Sequence, residues 1–264
     1  MLPTYPLENL KQLKPFNVAL LGMRRCGKSF ATSKLAKYML HEFDLIITFL
    51  GTAHCNPELI EFVTKHYDPR LCFNMFNVNV IDKLCEQQEN LADMGISRNV
   101  LICFDDCFTS NKHAEDSLSH LFIRGRHFNI STIISAVSYV SINKNCRRSL
   151  DCIFLYSSVC KSDLDTLMKE YIHSKAHVAK YCIQNLPIYT ALVVETKRNQ
   201  QLYELKFKKP SSHYNESSHL SVQEESECRP VLGQTTMNES SNKTVYQALS
   251  STDSESDENE HNSS

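Results

Sequence analysis

The chain has 264 residues, 42% of them apolar, and a formal net charge of −2. This length and apolar content suffice for one well-filled core or two small ones. No apolar run approaches the roughly 20 residues of a membrane span, and residues 1–17 lack the continuous apolar stretch of a signal peptide. The sequence therefore predicts a soluble protein without a membrane span.

The cysteine pattern argues against a disulfide framework. The chain has 11 cysteines, an odd number, and their spacing is irregular. Cys103 and Cys107 form no C-x-x-C pair, and the spacings of zinc sites are absent. We expect buried, reduced thiols, which are typical of proteins of the cytosol or nucleus.

Charge is distributed unevenly along the chain. Of the 28 Lys and Arg and the 30 Asp and Glu, two and ten respectively lie in residues 211–264. This leaves 26 basic and 20 acidic residues in 1–210, so the body carries about +6 and the tail about −8. The tail is rich in Ser, Asn and Glu and poor in apolar residues, so burial cannot offset its ordering entropy. We predict one domain over 1–210 and a disordered, acidic, Ser-rich tail over 211–264.

Apolar runs alternate with amphipathic stretches through residues 1–210. Short apolar runs predict strands at 16–22, 45–51, 71–76, 99–106, 130–139 and 152–158. Apolar residues at helical spacing predict helices at 28–43, 58–67, 80–94, 116–127, 162–172 and 177–186. Residues 190–196 and 202–207 indicate a closing antiparallel hairpin or two edge strands. The alternation predicts an α/β fold, with a mostly parallel sheet covered by helices on both faces.

The sequence GMRRCGKS, residues 22–29, matches the pattern G-x-x-x-x-G-K-[ST] between a predicted strand and a predicted helix. Its glycines let the loop wrap round phosphate, so that backbone N–H groups and the helix N-terminus face the anion. Lys28 can reach the β- and γ-phosphates, and the Ser29 hydroxyl can bind Mg²⁺. A coincidental glycine turn is the alternative. The residues predicted to bind ATP are Gly22, Met23, Arg24, Arg25, Cys26, Gly27, Lys28, Ser29 and Phe30.

Two carboxylates follow the apolar run at 101–104. A nucleotide site of this type needs an acidic residue at the end of a buried strand to hold Mg²⁺ through water, and Asp105 is predicted to fill this role. Asp106 would orient or deprotonate the attacking water, which distinguishes an ATPase from a protein that only binds nucleotide. The alternative for Asp106 is a helix N-cap or a loop carboxylate.

Arg124, Arg126 and His127 cluster where a predicted helix meets the strand at 130–139. A strand beside the one that leads into a phosphate loop has its C-terminal end near the γ-phosphate. Polar residues there can sense the phosphate or act on the nucleotide of a neighbouring subunit. A solvated basic helix end that complements the helix dipole is the alternative, and the residues alone leave both open.

Several motifs together resemble the genome-packaging ATPases of large DNA viruses, in the poxvirus-like branch of the FtsK–HerA group. They are the phosphate loop, LICFDD, and GRHFNIS with TIIS, CIFLYSS and SDLDTLMKEY after it. The resemblance covers residues 15–205 and implies a P-loop NTPase that forms a homo-oligomeric ring and drives double-stranded DNA into a preformed capsid. It implies ATP and Mg²⁺ as cofactors, Lys28 and Ser29 on the phosphates and Mg²⁺, and Asp105 and Asp106 as the acidic pair.

The resemblance also implies roles for two arginines. Arg126, within GRH, matches a signature residue of the family. Arg148, in NCRRSLDCIF, lies where the family tends to carry an arginine that completes a neighbour's active site, and Arg147 is the alternative. Both Arg126 and Arg148 are therefore candidate catalytic residues.

One position departs from the family pattern. The family usually has a glutamine that senses the γ-phosphate at the end of the strand after GRH, and the aligned residue here is Val137. Valine cannot hydrogen-bond a phosphate or a water. Either Ser135 or Ser138 takes over this role, or the register differs by one or two residues, or hydrolysis is less tightly coupled to movement. Our hypothesis is that Ser138 substitutes for the glutamine.

A ring motor grips the phosphate backbone of DNA, so loops with Lys and Arg are expected to line a pore. The segments around Lys112 and Lys144–Arg148 are candidates, and ordinary surface lysines are the alternative. No zinc finger, helix-turn-helix or RNA-binding aromatic set is recognisable, so binding is predicted to be independent of sequence. The resemblance implies viral capsid proteins as partners and a location in the cytoplasmic virus factory, the nucleus or the virion.

Two other functions stay open at this point. A small P-loop kinase would share GMRRCGKS and could use RGRH to hold phosphates, although two adjacent carboxylates fit water activation better. A non-catalytic adaptor that uses ATP only to fix its shape is favoured by Val137. Phosphate release without an acceptor would distinguish an ATPase from a kinase, and binding without turnover would indicate the adaptor.

Overall fold

The computed structural model describes residues 2–51, 56–107, 112–196 and 201–208. The helices are α1 (Leu7–Gln12), α2 (Lys28–Tyr38), α3 (Pro57–His66), α4 (Val78–Asp93), α5 (Lys112–Arg124), α6 (Lys144–Arg148), α7 (Lys161–Leu167) and α8 (Ala176–Gln184). The strands are β1 (Asn17–Leu21), β2 (Leu45–Leu50), β3 (Cys72–Phe73), β4 (Val100–Asp105), β5 (Ile130–Ala136), β6 (Cys152–Leu155), β7 (Thr190–Glu195) and β8 (Leu202–Lys206). Short 3₁₀ turns occupy Leu40–Glu42, Pro69–Leu71, Gly125–Phe128 and His173–Lys175, and Met168–Ile172 form a π-helical turn. None of the helices in these ranges has both the length and the apolar character to cross a membrane.

The strands form one eight-stranded sheet in the order β3-β2-β4-β5-β1-β6-β7-β8. The six strands from β3 to β6 are parallel to one another, whereas β7 and β8 are antiparallel to their neighbours. The predicted α/β fold is confirmed, with the hairpin of β7 and β8 as its antiparallel edge.

The central strands are covered on both faces. Every residue of β1, β2, β4, β5 and β6 is buried. Because successive side chains of a strand point to opposite faces, continuous burial requires packing on each side of the sheet. Helix α2 contacts β1, β4 and β5, and α3 contacts β2 and β3. The continuous Val, Ile and Leu runs of the sequence therefore predict these strands correctly.

The parallel strands give the sheet two functionally distinct edges. We call the edge at which β1, β2, β4, β5 and β6 end the carboxyl edge, and the edge at which they begin the amino edge. Since β7 is antiparallel to β6, it begins at the carboxyl edge. Loops that follow the parallel strands meet at the carboxyl edge, and loops that precede them meet at the amino edge.

The strand predicted at 130–139 ends at Ala136. The chain turns away from the strand there. The buried Asp163 carboxylate stabilises this turn by accepting hydrogen bonds from Tyr139 N at 2.8 Å and from Ser138 Oγ at 3.2 Å. The pattern of the sequence also missed α1 and α6, which have six and five residues and are too short to show a helical period.

The predicted acidic tail, residues 211–264, lies outside the described residues. Its disorder and the domain boundary at 210 therefore stay predictions.

Candidate active site

The predicted phosphate loop lies at the carboxyl edge, between β1 and α2. The backbone needs left-handed conformations to turn into the helix, with φ of 65° at Arg25 and 106° at Gly27. Gly27 is the N-cap residue of α2 and offers no side chain to the first N–H groups of the helix. Those N–H groups and the positive end of the helix dipole suit an anion. The side chains of Met23, Arg24 and Arg25 are exposed, so the loop presents its backbone to a ligand.

Lys28 occupies the interior of this loop. Its side chain is buried, and its ammonium donates hydrogen bonds to the carbonyl oxygens of Gly22 at 2.7 Å and Met23 at 3.0 Å. A buried ammonium whose partners among the described residues are neutral carbonyls gains more from a charged phosphate than a solvated lysine would. Lys28 thus points into the loop, and its role on the phosphates stays a prediction.

A buried asparagine connects the two halves of the site. Asn56 is 3% exposed, and its Nδ2 donates to the carbonyl oxygen of Ser29 at 3.0 Å and to Asp105 Oδ2 at 3.1 Å. Its Oδ1 accepts from Ser33 Oγ at 2.7 Å and from Leu59 N at 3.2 Å. All four hydrogen-bonding positions of the amide are thus filled. Asn56 fixes α2, α3 and the end of β4 relative to one another.

The same amide brings together the two residues predicted to bind Mg²⁺. Ser29 is the second residue of α2, and Asp105, which is 2% exposed, is the last residue of β4. A hydroxyl and a carboxylate are the oxygen donors that Mg²⁺ prefers, usually with several waters retained. The donor set of Ser29 and Asp105 therefore fits Mg²⁺.

Asp106 projects from the carboxyl edge immediately after Asp105. Its φ of 53° is left-handed, its N–H donates to the Ser135 carbonyl oxygen at 3.2 Å, and its side chain is exposed. A Cβ on Gly51 would lie 2.1 Å from the Asp106 carbonyl oxygen, so only glycine fits beside this turn. The backbone thus holds the Asp106 carboxylate beyond the end of the strand, where it can face solvent and a ligand.

Cys107, the residue after Asp106, has a buried thiol. Burial, and secondarily the Asp105 carboxylate, raises the pKa of the Cys107 thiol to about 12. The nine cysteines within the described ranges are all free, and six of them are buried. A buried thiol with a raised pKa, such as that of Cys107, is protonated and unreactive near neutral pH.

Strand β5 separates β1 from β4 and brings Ser135 beside Asp105. Ser135 pairs with Leu20 of β1 and with Asp105 of β4. Its hydroxyl is buried and has no hydrogen-bond partner among the described residues. Val137, which the resemblance aligns with a glutamine of the family, is 37% exposed, whereas the Ser138 hydroxyl donates to Asp163. The replacement of the glutamine by Ser138 stays a prediction. The Ser138 hydroxyl already stabilises the turn after β5 through its hydrogen bond to Asp163.

Arg126 lies at the amino edge and not beside the phosphate loop. The GRH cluster precedes β5, so the seven residues of that strand, at about 3.3 Å each, separate it from the carboxyl edge by roughly 20 Å. Arg126 Nη2 is 3.9 Å from Oδ1 of Asp151, which precedes β6. The residues alone left the role of this cluster open, and its position before β5 does not bring it beside the phosphate loop of its own chain, since that loop lies at the edge where β5 ends. A role of Arg126 in a neighbouring subunit's site stays a prediction.

The two candidate arginines of α6 differ in their surroundings. The Arg147 side chain is 12% exposed, lies 3.7 Å from Glu170 and stacks over the Tyr139 ring at 4.9 Å. Arg148 is exposed, and it precedes Ser149, whose carbonyl oxygen accepts from Asn17 at the amino edge. Arg147 thus packs within its own chain, whereas Arg148 is accessible to a neighbour.

Reasoning from the sequence missed two residues of this site. Asn56 stands before Pro57, an arrangement typical of a helix N-cap, but nothing local shows that its amide also reaches Asp105. Tyr189, which precedes β7, packs against Gly27 and Phe30, with 5.4 Å between the two ring centroids.

Comparison with solved structures of known proteins identifies the fold. The solved structure of the genome packaging NTPase B204 from Sulfolobus turreted icosahedral virus 2 in complex with AMPPCP superimposes with a TM-score of 0.52 at 16% identity, over 74% of this chain and 98% of that one. The cytoplasmic domain of the type VII secretion ATPase EccC from Thermomonospora curvata gives a TM-score of 0.51 at 11% identity, over 74% of this chain and 24% of that one. These likenesses establish the P-loop ATPase fold.

Sequence comparison identifies the family. Uncharacterized protein 015R of Frog virus 3 (isolate Goorha) is 24% identical over 142 residues, which are 53% of this chain and 43% of that relative. The match thus spans less than half of the relative's length. The sequence profile of the family described as Poxvirus A32 protein matches residues 4–204. The chain therefore belongs to the poxvirus A32 protein family.

Proposed function

We propose that this chain is an ATP-hydrolysing motor that moves double-stranded viral DNA into a preformed capsid. The observation that carries the proposal is the Asn56 network, which joins the phosphate loop and α2 to the acidic end of β4. Membership of the poxvirus A32 family, together with a fold shared with a viral genome packaging NTPase, supports the packaging role.

The chemistry assigned to each residue follows from its position. Lys28 and the N–H groups at the start of α2 hold the phosphates, and Ser29 and Asp105 hold Mg²⁺, which neutralises the developing charge on the phosphates. Asp106 accepts a proton from the attacking water or orients it. Its exposure and its place immediately after Asp105 suit this role.

Assembly into a homo-oligomeric ring would use the amino edge and α6. Arg148 is exposed and is the better candidate to reach a neighbour's nucleotide, since Arg147 packs against Glu170 and Tyr139. Lys112 and Lys144 begin the adjacent helices α5 and α6, and both are exposed. Such lysines can contact the DNA backbone without reading sequence. We place the assembly in the cytoplasmic virus factory, with capsid proteins as partners.

The test is phosphate release from ATP with and without linear double-stranded DNA, at about 50 and about 500 mM salt. A motor that grips the backbone is stimulated by DNA at low salt and loses this stimulation at high salt. Single-stranded DNA of the same length is the control for strand structure.

The outcomes separate the three functions. Hydrolysis without any response to DNA would contradict the motor. Binding of ATP with no turnover under any condition would support the adaptor, for which the exposed Val137 is the specific observation. Phosphate transfer only when a nucleoside acceptor is added would indicate a kinase.

A further inference from the structure

Tyr189 lies at the carboxyl edge beside the phosphate loop, although it is more than 150 residues away in sequence. It directly precedes β7, whose residue Leu192 pairs with Leu155 at the end of β6. Strand β6 in turn pairs with β1, which leads into the phosphate loop. The sheet thus brings the start of β7 next to the loop.

The backbone at Tyr189 is unusual for a large side chain. Thr190 N donates to the Pro187 carbonyl oxygen at 3.2 Å, which closes a turn with Tyr189 at its third position. Tyr189 has a φ of 63°, and this position in a turn is normally left to Gly or Asn. Its carbonyl oxygen is held by Phe207 N at 2.9 Å. A strained conformation of this kind persists where the surrounding structure fixes it, and it often marks a functional site.

The turn places the Tyr189 ring against the phosphate loop. A Cβ added to Gly27 would lie 2.8 Å from Tyr189 Cδ1, so the ring packs directly on the Gly27 backbone. The Phe30 ring meets it at an interplanar angle of 73°. Tyr189 is only half-buried, and the neighbouring Ile188 is 67% exposed. An aromatic and apolar surface therefore adjoins the helix N-terminus that would hold the phosphates.

We propose that Tyr189 is the stacking platform for the base of the bound nucleotide. The inference rests on the proposed ATPase function and adds the residue that recognises the nucleoside end of the substrate. The ring touches Gly27, one residue before Lys28, so a base stacked on it stays within one nucleotide's span of the phosphates. Stacking uses the π-face that every base has, and the platform favours nucleotides over inorganic phosphates without selecting strongly among bases.

The experiment compares ATP with inorganic tripolyphosphate, which has the phosphates but no base, by titration calorimetry. Tyr189→Asn removes the ring but suits the left-handed backbone, so the variant should fold. We expect its Kd for ATP to rise about tenfold, with the Kd for tripolyphosphate unchanged. Tyr189→Phe should retain both affinities. Tyr181→Asn, on α8 and 71% exposed in the wild type, is the matched control and should change neither.

Each of the other possible outcomes would contradict the proposed stacking role of Tyr189. An equal loss of affinity for ATP and tripolyphosphate in Tyr189→Asn would mean that the ring only shapes the phosphate loop. Unchanged affinity for both would show that the base does not rest there. If the wild type bound neither probe, the proposed ATPase function itself would fall, which is a separate result from the failure of the platform alone.

Discussion

A buried asparagine connects neighbouring elements at each edge of the sheet, but only the asparagine at the carboxyl edge hydrogen-bonds to candidate active-site residues. Asn56, at the carboxyl edge, donates to the Asp105 carboxylate and to the Ser29 carbonyl oxygen. Asn17, at the amino edge, is 5% exposed and donates to the carbonyl oxygens of Phe122 and Ser149 at 2.9 and 3.1 Å. One network joins candidate ligands of phosphate and Mg²⁺, whereas the other joins structural elements.

This difference shows that the two edges of one sheet can serve separate purposes. At the amino edge, the Asp151 carboxylate accepts a hydrogen bond from Asn17 N at 2.8 Å and lies near the Arg126 guanidinium. It therefore links the start of β1 to the segments that precede β5 and β6. At the carboxyl edge, carbonyl oxygens of the loop hold the Lys28 ammonium, and a left-handed turn orients Asp106; the structure describes no ion pair between these two side chains. We infer that substitutions at the amino edge change stability, and that substitutions at the carboxyl edge change chemistry.

The largest effect is expected from Asp106→Asn. Asparagine adopts the left-handed φ of this position and keeps the size of the side chain, but it cannot accept a proton from water. We expect kcat to fall about 100-fold or more, with the Kd for ATP nearly unchanged. Steady-state phosphate release and nucleotide titration measure the two quantities. Asp116→Asn, at an exposed position on α5, is the control. An unchanged kcat in Asp106→Asn would mean that Asp106 is only a loop carboxylate.

The paired variants Asn56→Ala and Asn17→Ala test the comparison directly. Each leaves buried partners without a hydrogen bond, so we expect each to lower the free energy of unfolding by about 2 kcal/mol. Only Asn56→Ala should also weaken Mg²⁺-dependent ATP binding, because only Asn56 orients Asp105. Denaturant unfolding and nucleotide titration at varied Mg²⁺ provide the measurements. Equal effects of both variants on ATP binding would remove the distinction between the two edges.

Arg126→Ala should have a small effect on the isolated chain. Its partner Asp151 keeps the hydrogen bond from Asn17 N, and the Arg126 side chain is 41% exposed, so we expect a loss of less than about 1 kcal/mol in stability. The Kd for ATP of the monomer should stay within about twofold, because the residue lies at the far end of β5. A tenfold weaker Kd in the monomer would contradict this placement. Arg148→Ala should likewise spare nucleotide binding in the monomer.

The smallest effect concerns Glu42, the last residue of the 3₁₀ turn that precedes β2. A hydrogen bond from Lys14, with a further contribution from Lys11, holds the pKa of Glu42 below its ordinary value of 4.5. This carboxylate therefore stabilises the fold above pH 4.5, and its contribution disappears as the pH falls through the lowered pKa. We expect Glu42→Gln to lose about 0.5 kcal/mol at pH 7 and nothing in strong acid. Urea unfolding at the two pH values, beside exposed Glu86→Gln, checks the difference.

The sequence predicts the sheet, and the position of the GMRRCGKS loop between β1 and α2, well because both depend on local signals. Continuous apolar runs mark buried parallel strands, and the spacing of Gly22, Gly27 and Lys28 marks the loop. Asn56 and Tyr189 could not be found in this way, since their contacts with Asp105 and Gly27 join segments that are distant along the chain. The position of Arg126, which the residues alone left open, follows from the topology, because residues that precede a parallel strand lie at the edge opposite to those that follow it.

The most direct test of the account is ATP hydrolysis by Lys28→Ala beside Lys37→Ala. Both lysines lie on α2, but Lys28 is buried inside the phosphate loop, whereas Lys37 is partly exposed and pairs with Glu58 at 2.7 Å. We predict that Lys28→Ala lowers phosphate release about 100-fold or more and that Lys37→Ala leaves it within about twofold. Hydrolysis that persists in Lys28→Ala, or that falls equally in both variants, would contradict an ATPase site at the carboxyl edge.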